Sequence, residues 1–294
     1  MILAAIQKAT QLPLSEQQLA LANLIGALML VAGMTVYARL FRRVGENGGR
    51  VRTDHLQLPD LFIAISLIVG LTLLAILAFT SVANGAEDAA LPKFEMTMVQ
   101  RLISGSMFLF IPAAGICMFF VARRISLREA LGLGRMSLGK IPFIAAGLIL
   151  AVLPLLALAN VMMAKFFPSH ADPQELVKIY KGAVDAGQYK IIGAIIFSAT
   201  VMAPLAEEFL FRGYFYPVLK RLVGPLPSAV FVSVLFGVVH GNLLTLPGLV
   251  LLAFALTLAY EWSGSLLVPI CMHAVFNSIT LFFMWVAPRY GIEL

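Results

Sequence analysis

Of the 294 residues, 61% are apolar and 12% charged, against roughly 45–50% and about 25% in an ordinary soluble domain. With a mean hydropathy of +0.94, the composition excludes a soluble enzyme with one polar surface, a disordered chain, a collagen and a disulfide scaffold. The net charge of +6 reads as membrane topology and attraction to anionic lipid, so no nucleic-acid partner is needed to explain it.

A bilayer core of about 30 Å needs about 20 apolar residues in helix. Residues 19–38, 61–83, 102–122 and 141–164 meet that length without a charged residue. Shorter apolar runs follow at 191–206, 228–243 and 245–260, interrupted by Pro204, His240 and Pro247, and 266–287 is long but holds His273 and Asn277. The expected fold is all-α, a polytopic membrane bundle of about eight transmembrane helices. Residues 1–11 lack a basic start and a long apolar core, so the first helix is expected to be an uncleaved anchor. If 39–60, 123–140 and 207–227 are cytoplasmic loops, they hold 5, 5 and 3 of the 21 basic residues, which places the N-terminus outside. Gly26 and Gly33 are small enough for close helix contact, and Cys117 and Cys271, inside apolar runs, read as packing residues.

Helices 1 to 4 are chemically silent, and helices 5 to 8 are not. A charge at mid-span costs about 2.5–3.5 kcal/mol on insertion scales, so such residues are functional candidates. Glu207 and Glu208 directly follow the run 191–206. If helix continues through them, Glu208 and Arg212 are i, i+4 partners in the favoured order, and Glu207 points about 100° away. Phe236 lies one turn before His240, and His273 and Asn277 share one helical face. Glu261, at a span end beside Tyr260 and Trp262, reads as an interfacial residue in an aromatic belt. His55 and His170 lie in polar loops and read as solvated surface.

Hydrolysis of a peptide bond needs a water, a base and donors for the oxyanion. Glu207 suits the base, His240 can orient the water, and His273 with Asn277 can donate to the oxyanion. Arg212 can neutralise Glu208 or clamp a substrate carboxylate. Glu207, His240 and His273 also form the two-His-one-carboxylate set of a catalytic zinc, so zinc-bound and metal-free water both stay open and no cofactor is obligatory. The same groups could serve a proton-coupled transporter, although no inverted repeat is visible, or act as interhelical glue in a non-catalytic immunity or assembly factor.

Glu207-Glu208-Phe-Leu-Phe-Arg212, Phe236-Gly-Val-Val-His240 and His273-Ala-Val-Phe-Asn277 reproduce in order the three motifs of the CPBP family of intramembrane proteases. That family includes CAAX prenyl endopeptidases of the Ras-converting-enzyme type and bacterial proteins linked to bacteriocin self-immunity. The chain resembles it over roughly residues 125–287, with 1–124 as N-terminal membrane helices outside the resemblance and 125–294 as the catalytic membrane domain. The resemblance implies a conical intramembrane cavity open towards the cytoplasm and a multi-pass protein of the plasma (inner) membrane. It also implies that Glu207 and His240 activate water while His273 and Asn277 stabilise the oxyanion, with Glu208, Arg212 and Phe236 in support. The implied substrate is a peptide or lipidated protein.

Overall fold

The computed structural model describes residues 16–83, 98–167, 180–184 and 186–286, and all regular structure among these is helical. In chain order the helices are α1 (Glu16–Asn47), α2 (Leu58–Ala83), α3 (Met98–Ala122), α4 (Ile141–Phe166), α5 (Tyr189–Val223), α6 (Pro225–Val239), α7 (Leu246–Ser263) and α8 (Leu267–Val286). A single helical turn, Leu127–Ala130, and a 3-10 turn, Leu138–Lys140, lead into α4. Among the described residues, five stretches are long and apolar enough to cross a membrane: Asn23–Asn47, Leu138–Met163, Tyr189–Val223, Leu246–Ser263 and Leu267–Val286. Leu58–Gly70, Phe110–Ala122 and Pro225–Val239 are shorter apolar helices. The chain is thus a helical integral membrane protein.

The expectation of a loop at 207–227 is corrected. Helix α5 runs unbroken past the two glutamates, through π-helical turns at Ser198–Met202 and Phe209–Phe215, and ends at Val223 before Gly224. Glu208 and Arg212 neutralise one another inside it, which removes the reason for the chain to leave the apolar phase there. His170 lies outside the described residues.

Two packed groups share the bundle. In one, α4 lies against α1, α7 and α8, and its buried residues Ile141, Ala145, Leu148, Val152 and Leu156 recur at three or four positions, a stripe along one face. Phe143, Leu150 and Leu158 of α4 stay exposed, as apolar side chains turned towards lipid do. In the other, the C-terminal part of α5 packs with α2, α3 and α6 around Phe211, Tyr214, Phe215 and Phe236. Of the two glycines in α1, Gly33 is at a contact: a Cβ there would collide with the Ala151 carbonyl of α4, whereas one at Gly26 would meet nothing. Gly33→Leu is therefore expected to lower stability by about 1–3 kcal/mol and Gly26→Leu to leave it unchanged, read as melting temperatures in detergent.

The segment between α1 and α2 is sewn onto the end of α5 and α7. Glu261, expected at an aromatic belt, is 1% exposed. Its Oε1 accepts from Tyr216 Oη at 2.5 Å and Lys220 Nζ at 2.6 Å, and its Oε2 accepts from the Val51 N–H at 3.1 Å. The Arg50 N–H adds a bond to the Glu261 carbonyl at 3.0 Å. Gly49 has φ +71°, and a Cβ there would strike the Glu261 carboxylate. Burial is tolerated because Lys220 supplies the countercharge and the tyrosine and backbone donors take the remaining lone pairs. Lys220 Nζ, Arg221 and Arg135 all donate to carbonyls of residues 50–53, so basic residues from two stretches gather at one place.

His55, expected in solvent, is half-buried. Its ring stands edge-on to Phe120 at 5.8 Å, and its Nε2 is buried without a hydrogen-bond partner. Burial lowers its pKa below the usual 6.5; Asp54 and Asp60 oppose the shift, while Arg52 and Arg123 add to it. The folded state therefore binds the proton less well than the unfolded chain, and the stabilisation present above pH 6.5 is lost as pH falls towards the lowered folded value. The protection of the amides across residues 50–57, corrected for the slower intrinsic exchange at lower pH, should fall between pH 7.5 and pH 5. A His55→Phe protein should lose that pH dependence.

Candidate active site

The seven motif residues come from α5, from α6 and the residue that follows it, and from α8, and three of them, Arg212, His240 and His273, meet at the ring of a fourth, Phe236. Phe236, fully buried in α6, has Phe211 at 5.1 Å, His240 at 4.6 Å and His273 at 5.9 Å between ring centroids. The Arg212 guanidinium sits over its face at 4.7 Å, within cation–π range. Phe236 thus spaces the polar groups and dries the floor beneath them.

Glu208 and Arg212 are completely buried. Arg212 Nη1 donates to Glu208 Oε1 at 2.8 Å, and Nη2 donates to the Ala253 carbonyl of α7 at 3.0 Å. Both terminal nitrogens are held inside the protein, so of the two roles open from the sequence the geometry favours neutralising Glu208 over clamping a substrate. Glu208 Oε1 also accepts from His273 Nδ1 at 2.9 Å. That bond puts the Nδ1 proton towards the carboxylate and leaves Nε2 facing the other way.

His240 follows the last residue of α6, and its Nδ1 lies 2.6 Å from the Phe236 carbonyl. A carbonyl only accepts, so Nδ1 carries the proton and Nε2 is the free nitrogen. Glu207 Oε2 lies 3.9 Å from His240 Nε2 and 3.9 Å from His273 Nε2. That oxygen is buried and has no hydrogen-bond partner. With neutral imidazoles, three lone-pair atoms face one another with no donor between them, an arrangement that calls for a bridging group with protons or positive charge. Access exists from one side: the side chains of His240 and Glu207 are 27% and 12% exposed, while Glu208 is at 0%.

A water about 2.8 Å from each atom spans such 3.9 Å separations at an angle of about 90°. Tetrahedral zinc instead holds its nitrogen and oxygen ligands about 3.3 Å apart. The donor set has the chemistry of a zinc site, but its spacing is too wide, and among the described residues no group of three or more His, Cys, Asp or Glu is arranged to hold a metal. Cys117 and Cys271 are free and partly buried.

Asn277, one turn beyond His273 on α8, donates from Nδ2 to the Ala199 carbonyl of α5 at 2.7 Å. Its second amide hydrogen is left for other partners. The motif pattern alone gave no sign of Ala199, whose carbonyl becomes a partner through the π-helical turn and not through its side chain.

Fold and site together define a helical integral membrane protein with a buried acid–imidazole centre. Residues 190–279, which contain all three motifs, match the family model described as "Type II CAAX prenyl endopeptidase Rce1-like". The chain is also similar to "Membrane-embedded CAAX protease MroQ" of Staphylococcus aureus (strain USA300), 28% identical over 104 residues, covering 33% of this chain and 42% of that protein. The chain thus spans less than half the length of the curated relative it matches. No solved structure matches. Both matches are to proteins described as CAAX endopeptidases or proteases.

Proposed function

We propose that this chain is an intramembrane endopeptidase of metal-independent, glutamate type. It cuts a peptide or lipidated protein near the bilayer, in a conical cavity open to the cytoplasmic side of the plasma membrane, and its substrate class is the CAAX-type C-terminus named for its relative. The observation that carries the reading is the unpartnered Glu207 Oε2 with the free nitrogens of two histidines both 3.9 Å away. In this mechanism Glu207 takes a proton from the bridging water, which His240 Nε2 orients, and the oxygen attacks the scissile carbonyl. The developing oxyanion is met by the remaining amide hydrogen of Asn277 and by His273 in its imidazolium form, which keeps Nδ1–H on Glu208 and carries a second proton, taken from solvent before the reaction, on Nε2; such donors are worth about 2.7–4 kcal/mol each in a dry site. Glu207 then passes its proton to the leaving amine as the C–N bond breaks. Glu208 and Arg212 hold the His273 ring and neutralise one another.

The test is cleavage of a lipidated peptide library read by mass spectrometry, with wild type and Glu207→Gln in detergent, each with and without a zinc chelator. Products from wild type alone, unaffected by the chelator, are expected, and their new termini name the substrate class. Chelator-sensitive cleavage would replace the metal-free water with a zinc-bound one. Products from neither protein would favour the non-catalytic immunity or assembly reading.

A further inference from the structure

Two helices of the site are joined by successive cross-links, and the second has a specific cause in the backbone. At the end of the π-helical turn Ser198–Met202, the Ala203 N–H donates to the Ser198 carbonyl, five residues back. The next donor in that register is residue 204, whose target is the Ala199 carbonyl. Residue 204 is proline and has no N–H. The Ala199 carbonyl would stand without a helical donor in an apolar phase where no water replaces it. Asn277 Nδ2 donates to that oxygen at 2.7 Å.

We infer that Pro204 and Asn277 form a matched pair: the proline opens a vacancy in the α5 hydrogen-bond ladder, and the Asn277 side chain fills it from α8, so that Asn277 positions Glu207 in addition to any contact with substrate. The geometry follows from the spacing. Glu207 and Glu208 lie three and four residues after Pro204, and His273 lies four residues before Asn277. The Asn277–Ala199 bond and the His273–Glu208 bond at 2.9 Å are therefore neighbouring rungs between the same two helices. Together they fix the rotation and the sliding of α8 against α5, and with it the separation of His273 Nε2 from Glu207 Oε2. A donor at 204 in the same five-back register would satisfy Ala199 within its own helix and leave α8 held by one rung.

The kinetic arm of the test rests on the protease reading; the stability arm does not. Melting temperature, kcat and the pH profile of kcat are measured for wild type, Asn277→Leu, Pro204→Ala and the double variant. Asn277→Leu should lower the melting temperature by about 3 °C or more, lower kcat at least tenfold and displace the pH profile, because the base and the imidazole separate. In the Pro204→Ala background residue 204 can donate to Ala199, so the same Asn277→Leu change should cost less in melting temperature and the pH profile should return towards that of wild type. Equal penalties in both backgrounds would overturn the pairing and leave Asn277 as an oxyanion donor alone. Should Pro204→Ala not fold, Asn277→Asp decides: a carboxylate against the Ala199 carbonyl must melt below Asn277→Leu, and unchanged melting in both variants overturns the clasp. If wild type cleaves nothing, the melting temperatures alone judge the pairing, and only the protease reading fails.

Discussion

Glu207→Gln is expected to abolish cleavage, with a fall in kcat of about 10²–10⁴-fold from loss of the base, while the protein folds at least as well as wild type. The second half of that expectation comes from the site itself. Glu207 Oε2 is buried and takes no hydrogen bond from another protein group, so replacing the carboxylate breaks no contact that holds the helices together. An amide of the same shape removes the charge and can donate to one of the two imidazoles. Kinetics and a melting curve on the same preparation check both parts. A drop in melting temperature together with the loss of activity would make Glu207 a structural residue.

Arg212→Met should produce the opposite pattern, a failure of stability first. It leaves the fully buried Glu208 carboxylate with His273 alone, removes the donor to the Ala253 carbonyl and vacates the face of Phe236. Breaking a buried ion pair by deleting one partner costs about 3–5 kcal/mol, whereas removing both charges is often close to neutral. The double variant Arg212→Met with Glu208→Gln should therefore recover much of the stability lost by Arg212→Met. Thermal unfolding of the single and double variants supplies the coupling energy. Additive losses would show that the two side chains do not act as a pair.

Much of this arrangement was readable from side-chain spacing. Apolar runs of bilayer length marked the helices, and an i, i+4 rule placed Glu208 with Arg212 and turned Glu207 away. The structure brings Glu207 together with His240 and His273, as the motifs led one to expect. What escaped the sequence is settled by backbone geometry and long-range contact. The continuity of α5 through the glutamates depends on an ion pair that itself requires the helix, so neither could be read first. The partner of Asn277 is a carbonyl, which no residue identity announces. Gly26 and Gly33 look alike in the sequence, and only the placement of Ala151 distinguishes them. Glu261 has local neighbours typical of a membrane boundary, and its countercharge and donors lie 41 to 210 positions away.

The clasp at Glu261 also bears on where this protein can be divided. The family match begins at residue 190, and the resemblance suggested a boundary near 124, as though the first three helices were an attachment. Yet the carboxylate that closes the end of α7 takes donors from both sides of that boundary, from Val51 as well as Tyr216 and Lys220. Tyr214, two positions after Arg212, donates to the Asp60 carbonyl at 3.0 Å. A chain begun at residue 125 would thus present unsatisfied polar atoms along the very helix that bears the glutamates. Transplanting the three-motif segment into another membrane scaffold would require carrying residues 49–60 with it, as a separate peptide if need be, because that short stretch is part of the helix's seating despite its distance in sequence.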